Sequence, residues 1–127
     1  MGVRRDTTAA MAPAAAAPTP DAPVWAVVVL YNWPKDTAAF EKYYSATHIP
    51  LVGAKAKEIA FSKAVLIKFS NNADGSKPAH YRMAQLWFPS EAALKAGMAT
   101  DGFKAVAGDL KNFSTGGQIV LTGQETR

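Results

Sequence analysis

The chain contains no cysteine, and that absence removes disulfides, thiolate nucleophiles and Cys-based zinc or iron–sulfur sites together. Histidine is nearly as scarce. His48 and His80 are the two in the chain, and they share no ligand-like spacing, so no metal site is expected; one His acting as an axial haem ligand is the single alternative left open. No apolar run approaches the roughly 20 residues that a membrane helix needs, which argues against a membrane partner. The net charge is a mild +4, with lysines scattered from Lys35 to Lys111 and no block of adjacent basic residues beside stacking aromatics, so nucleic acid is not an expected partner either. A Gly-rich phosphate loop and clustered acids are also missing. Nothing here announces covalent, nucleotide or metal chemistry.

What is present divides at residue 23. Residues 1–23 are low in complexity, with Ala14 to Ala17 in a row and four prolines, too little apolar surface to offset the entropy of ordering, and are expected to form a disordered leader. Arg4 and Arg5 followed by small residues faintly suggest export, but Thr7, Thr8, Pro13 and Pro18 interrupt the apolar core that a signal requires. The expected location is therefore the cytoplasm, with export the alternative. Residues 24–127 are enough for one domain around one core.

Within that domain, residues 24–31 form a short apolar run rich in β-branched and aromatic side chains, which predicts a strand apolar on both faces. Asp36 caps a helix over 37–48, Pro50 breaks or bends it, and a second piece follows over 51–59. Residues 61–69 and 79–88 read as strands joined across 70–78, a stretch dense in turn residues. Ser90 starts a helix to about Met98, and Thr100 caps another that carries Phe103, Val106, Ala107 and Leu110 on one face. A last strand covers 118–122. The order predicts an α+β fold, a ferredoxin-like four-stranded antiparallel sheet with its helices on one face. The opposite face, expected to hold Trp25, Val27, Val29, Met83 and Trp87 or the opposite parity, is too apolar to stay wet. A homodimer stacked sheet against sheet is the economical cover.

His48 is the most informative single position. It falls on the apolar stripe of its helix with Phe40, Tyr44 and Leu51, and imidazole changes charge near neutral pH, so a half-buried ring beside a Tyr hydroxyl can relay a proton. It can equally be a core histidine bonded to a backbone carbonyl. Tyr31, at the end of the first strand, can face the same space. Tyr81, Met83, Gln85 and Trp87 share one parity on the third strand and become substrate-binding candidates if that is the cavity parity. Asp109 is read as structural, His80 as exposed, and Arg82 as an ion-pair partner.

Four stretches resemble the EthD family of dimeric α+β barrels: 40–44 leading into His48-Ile49-Pro50-Leu51, 71–75, 84–90 and 107–113, the last containing Asp109-Leu110-Lys111-Asn112-Phe113. The resemblance implies the dimeric barrel, a pocket between sheet and helices with His48 at its wall, and a loose association with oxidoreductase activity in catabolism. The wider superfamily includes cofactor-free monooxygenases, cyclases, isomerases and haem peroxidases, so the fold alone does not choose a reaction. Two functions compete. One is a role in oxidative catabolism or secondary metabolism as a cofactor-free oxidoreductase, cyclase or isomerase acting on a small hydrophobic or aromatic ligand, with His48 as general base and Tyr44 assisting. The other is a non-catalytic ligand-binding or accessory protein supporting a partner oxygenase.

Overall fold

The computed structural model describes residues 24–126, so the expected leader lies outside the described residues. Four strands form one antiparallel sheet: β1 (Trp25–Tyr31), β2 (Lys63–Lys68), β3 (Arg82–Phe88) and β4 (Gln118–Gln124), in the order β2-β3-β1-β4. The helices α1 (Thr37–Tyr43), α2 (Ile49–Ile59), α3 (Glu91–Met98) and α4 (Asp101–Asp109) connect them. This is the ferredoxin-like arrangement that the element order implies. β1, the most apolar strand, is central and hydrogen-bonded on both sides, which suits a segment with no polar face to give to water.

Helix starts follow from local chemistry. The side chains of Asp36, Ser90 and Thr100 accept hydrogen bonds from the backbone N–H groups of Ala39, Ala93 and Phe103, each satisfying an otherwise orphaned donor in a first turn. At Pro50 the helix does not break. The chain widens into one π turn, Tyr44–His48, in which the Ile49 N–H reaches back to the Tyr44 carbonyl, and α1 runs through it into α2. Proline supplies no N–H to the carbonyl four residues back and its ring crowds that oxygen, so a loosened preceding turn relieves both problems.

Strand pairing fixes which side chains share a face. Leu66, Ala84, Val29 and Val120 lie opposite one another in a row across all four strands, and Ala64, Leu86, Val27 and Thr122 form the next row. These rows face the helices. Successive residues on a strand alternate, so Val28, Leu30, Met83, Gln85, Trp87, Ile119 and Leu121 project from the uncovered face. The set of Trp25, Val27 and Val29 with Met83 and Trp87 is therefore divided between the two faces. The register of β1 on β3 pairs Val27 with Leu86, not with Trp87, and the long β2–β3 connection hides that register from the sequence.

Two buried clusters fill the space under the helices. One joins Val27, Ile59, Phe88, Leu94 and Val106, where α3 comes so close that a Cβ at Gly97 would sit 2.7 Å from the Ile59 carbonyl oxygen and from the Phe88 ring. The other is aromatic, built from Tyr31, Phe40, Tyr44, Tyr81 and Phe113 with Leu110. Its rings meet largely edge to face, as the quadrupoles of aromatic rings prefer.

Candidate functional site

Between the two clusters the packing opens into a cavity of about 240 Å³ whose floor is the Leu66-Ala84-Val29-Val120 row and whose roof comes from α2 and α4. Small residues account for the space. Ala64 and Ala84 on the sheet face Gly53 on α2 and Ala107 on α4 across the gap, and a Cβ built on Gly53 would meet nothing within 4 Å. The wall is apolar except at one end, where Tyr31, Tyr44 and His48 reach it.

The π turn carries Tyr44 and His48 into that end together, their rings nearly parallel at 17° and 5.8 Å apart. His48 is 3% exposed, with the Phe113 ring 4.6 Å away. Its Nδ1–H donates to Asp109 Oδ2 at 2.9 Å. A carboxylate at that nitrogen fixes the neutral ring as the Nδ1–H tautomer, which leaves Nε2 with the lone pair. Asp109 is itself held by two further donors, the Tyr43 hydroxyl at 2.7 Å and the Asn112 amide at 2.9 Å, both to Oδ1. Burial works against the Asp109 carboxylate, but the hydrogen bonds from Tyr43, Asn112 and His48 outweigh it and hold the group below its ordinary range. A histidine oriented by a buried carboxylate is the arrangement used for general-base work, because the carboxylate both aims the ring and stabilises the imidazolium.

Tyr44 differs from the other polar groups. Its hydroxyl is buried and makes no hydrogen bond among the described residues. Burial pushes it up to about 12 and also raises Tyr31, with Tyr44 adding to the rise. The Tyr31 hydroxyl acts on the Tyr44 oxygen in the donor sense, which adds to the rise at Tyr31 and works against the rise at Tyr44, and the Tyr44 O–H itself finds no acceptor. Above the Tyr44 ring, at 4.8 Å, lies the Arg82 guanidinium. Its fork is bound by both carboxylate oxygens of Glu41 at 2.8 and 2.9 Å, and Glu41 also accepts the Tyr81 hydroxyl at 2.8 Å.

Of the residues singled out in the sequence, His48, Tyr44 and Tyr31 come together at the cavity. Tyr81 belongs to the aromatic cluster and spends its hydroxyl on Glu41. Met83, Gln85 and Trp87 stand on the uncovered face, away from this cavity, where the Trp87 indole N–H donates to the Gln85 side chain at 3.0 Å. Arg82 is the ion-pair partner expected. His80 is half-buried rather than exposed, with Nδ1 3.1 Å from the Asn32 side-chain oxygen, because the strand pairing at Tyr81 draws it against the β1 end. The residue underestimated is Asp109, read from the sequence as structural, whose carboxylate is bound to His48. Its signal was the run Asp109-Leu110-Lys111-Asn112-Phe113, which supplies an acceptor for His48, a donor to that acceptor and the ring packed on the imidazole. Among the described residues no group of three His, Cys, Asp or Glu side chains is placed to hold a metal ion, and no helix is long and apolar enough to cross a membrane.

Comparison with known proteins follows the same lines. The family pattern described as EthD domain matches residues 34–117. An uncharacterised 11.0 kDa protein of Rhodococcus erythropolis, from the thcB-thcC intergenic region, is 36% identical over 104 residues, covering 81% of this chain and 97% of that protein. Among solved structures, an ethyl tert-butyl ether (EthD) family protein of Bacillus halodurans superposes with a TM-score of 0.71 at 24% identity, over 81% of this chain and 99% of that one. A single-substitution variant of SnoaB, a cofactor-independent oxygenase of Streptomyces nogalater, superposes with a TM-score of 0.52 at 17% identity, over 84% of this chain and 93% of that one.

Proposed function

The chain belongs to the EthD family, and from that premise we propose that it performs cofactor-free proton-abstraction chemistry on a small hydrophobic or aromatic molecule held in the cavity. The observation that carries this reading is the buried Asp109–His48 pair at the one polar end of an otherwise apolar chamber. His48 Nε2 takes a proton from a C–H or O–H bond of the bound molecule. The bonding pair stays on the substrate as an enolate or phenolate, and Asp109 stabilises the imidazolium. Returning the proton to a different atom completes an isomerisation or cyclisation. Reaction of the anion with dioxygen completes an oxygenation, the chemistry named for the Streptomyces nogalater protein that shares the fold. A molecule filling the apolar chamber displaces water from it, which strengthens the charge interactions at the pair.

The test is deuterium incorporation from heavy water into a panel of enolisable ketones and phenols, followed by NMR. Catalysed exchange should fall by at least about a hundredfold in His48→Gln and strongly in Asp109→Asn. Equal rates in wild type and His48→Gln would overturn the assignment, and tight binding without exchange would leave the accessory-binder reading in its place. Haem is the cofactor alternative. His48 Nε2 would be its axial ligand, but the chamber is smaller than the roughly 300–1,000 Å³ usual even for drug-sized ligands. No Soret band should develop on adding haem.

The assembly we assign is a homodimer closed through the uncovered sheet face, where Ile119 and Leu121 on the edge strand β4 remain 42% and 48% exposed beside Val28, Leu30, Met83 and Trp87. Sedimentation should give a dimer, and Leu121→Glu a monomer. The location assigned is the cytoplasm, which fractionation checks.

A further inference from the structure

We propose that the cavity selects a neutral molecule with an apolar body and a single hydrogen-bond-accepting oxygen, and that the Tyr44 hydroxyl is the group that receives that oxygen. This rests on reading the chamber as a ligand site and goes beyond it by naming what the ligand must carry.

The starting point is the unpartnered hydroxyl. Tyr44 is 4% exposed, its ring packs on Phe40, Tyr31, Phe113 and His48, and its O–H has no acceptor among the described residues, the neighbouring Tyr31 hydroxyl acting on it only in the donor sense. A buried hydroxyl left unpaired is destabilising, and phenylalanine would fill the same aromatic niche without that cost. A hydroxyl kept there at the wall of a ligand-sized space is a donor waiting for an acceptor from within the space.

Charge decides against an anionic ligand. Arg82 lies over the Tyr44 ring, but its Nε and Nη2 edge is paired with Glu41, whose carboxylate is further bound by Tyr81. The cation–π contact holds the ring while the ion pair neutralises the guanidinium locally. Arg82 does not line the chamber, nor does any other arginine or lysine, so a carboxylate or phosphate entering it would be desolvated without a counter-ion. Asp109 makes the His48 end less welcoming still to negative charge.

Size narrows the class. The chamber is about 240 Å³, against the roughly 150 Å³ of an apolar protein cavity that accepts benzene, so it suits a body of about ten heavy atoms. The stacking of Tyr44 on His48 then gives the polar end a direction. An oxygen received by Tyr44 brings the atom next to it towards the imidazole, so the class that fits is a ketone with acidic neighbouring C–H bonds, or a phenol.

Acetophenone, cumene and benzoate are three probes of equal heavy-atom count and similar shape that differ in the required feature. Titration calorimetry on the full-length wild type should give acetophenone about tenfold tighter binding than cumene, the value of one neutral hydrogen bond, and no binding of benzoate. In Tyr44→Phe the preference for acetophenone should vanish while cumene binds as before, and the downfield shift of the acetophenone carbonyl ¹³C resonance seen on binding to wild type should be lost. Equal binding of acetophenone and cumene to wild type, a preference that survives Tyr44→Phe, or tight binding of benzoate would each overturn the proposal while leaving the ligand site standing. Failure of all three probes to bind would instead remove the ligand site itself, and this inference with it.

Discussion

Replacing Asp109 with alanine should destabilise the fold by about 2 kcal/mol, because it leaves the buried His48 Nδ1–H without an acceptor and such an orphaned donor costs roughly 1–3 kcal/mol. The other two partners contribute little. Asn112 is exposed and the Tyr43 hydroxyl lies near the surface, so water takes over from the carboxylate at both. For a domain of this size the loss corresponds to a fall of about 8–16 °C in melting temperature. Urea unfolding of wild type, Asp109→Ala, His48→Leu and the double variant then separates the pair from its surroundings. If the cost runs through the 2.9 Å bond, the double variant should be better than the sum of the singles by about 1 kcal/mol or more. Additivity within about 0.5 kcal/mol would refute the coupling. The pH dependence gives an independent check. The folded-state pKa of Asp109 is depressed, so its contribution is present above the unfolded-state value and is lost as pH falls through the folded one. Wild type should lose stability towards acid, and Asp109→Ala should show a flatter acid limb.

Two glycines should respond in opposite directions in the same denaturation assay. Gly97→Ala should cost about 1–3 kcal/mol by forcing a methyl into the Ile59 carbonyl and the Phe88 ring, whereas Gly53→Ala, with open space above it, should stabilise α2 by about 0.5–1 kcal/mol. Tyr44→Phe should leave stability unchanged or raise it by up to about 1 kcal/mol, since it removes an unpaired buried donor; a large loss would mean that the hydroxyl already has a partner. Ala84→Leu places a larger side chain in the middle of the cavity floor and should abolish binding of acetophenone while circular dichroism shows the fold retained.

Most of the architecture was legible because local chemistry and periodicity agree. The residues 24–31 run is apolar on both faces and becomes the central strand, and Asp36, Ser90 and Thr100 start helices where capping chemistry puts them. Two features were not legible, each for a physical reason. Pro50 signals an interruption, but an interruption can be a loop, a kink or a π turn, and only packing selects among them; here the aromatic cluster anchors Phe40 and Tyr44 on one side and the other cluster anchors Ile59 on the far side, so continuity wins. The parity of β3 was the second. An alternating strand with apolar residues in both sets, Met83 and Trp87 in one and Leu86 and Phe88 in the other, carries no internal mark of which set faces the helices. Pairing with β1 decides it, and that pairing is a contact between segments far apart in the sequence.

The same non-locality explains why the site was half visible. His48 and Tyr44 are one helical turn apart, so their association can be counted off the sequence. Asp109 is 61 residues from His48 and enters through the end of α4, where a carboxylate followed by an apolar residue looks like an ordinary solvated position. What distinguishes it is that its neighbours in the same short run are used at the same place: Leu110 lines the cavity, Asn112 bonds the carboxylate and Phe113 packs on the imidazole. A segment whose residues converge in this way on one ring is under tighter geometric constraint than helix packing alone requires. That constraint fixes the imidazole tautomer, keeps Nε2 as the acceptor beside the apolar chamber, and leaves the Tyr44 hydroxyl as the donor there without an internal partner among the described residues. On the proposed function, the chemistry of the bound molecule is set by two atoms, one that can take a proton and one that can give a hydrogen bond.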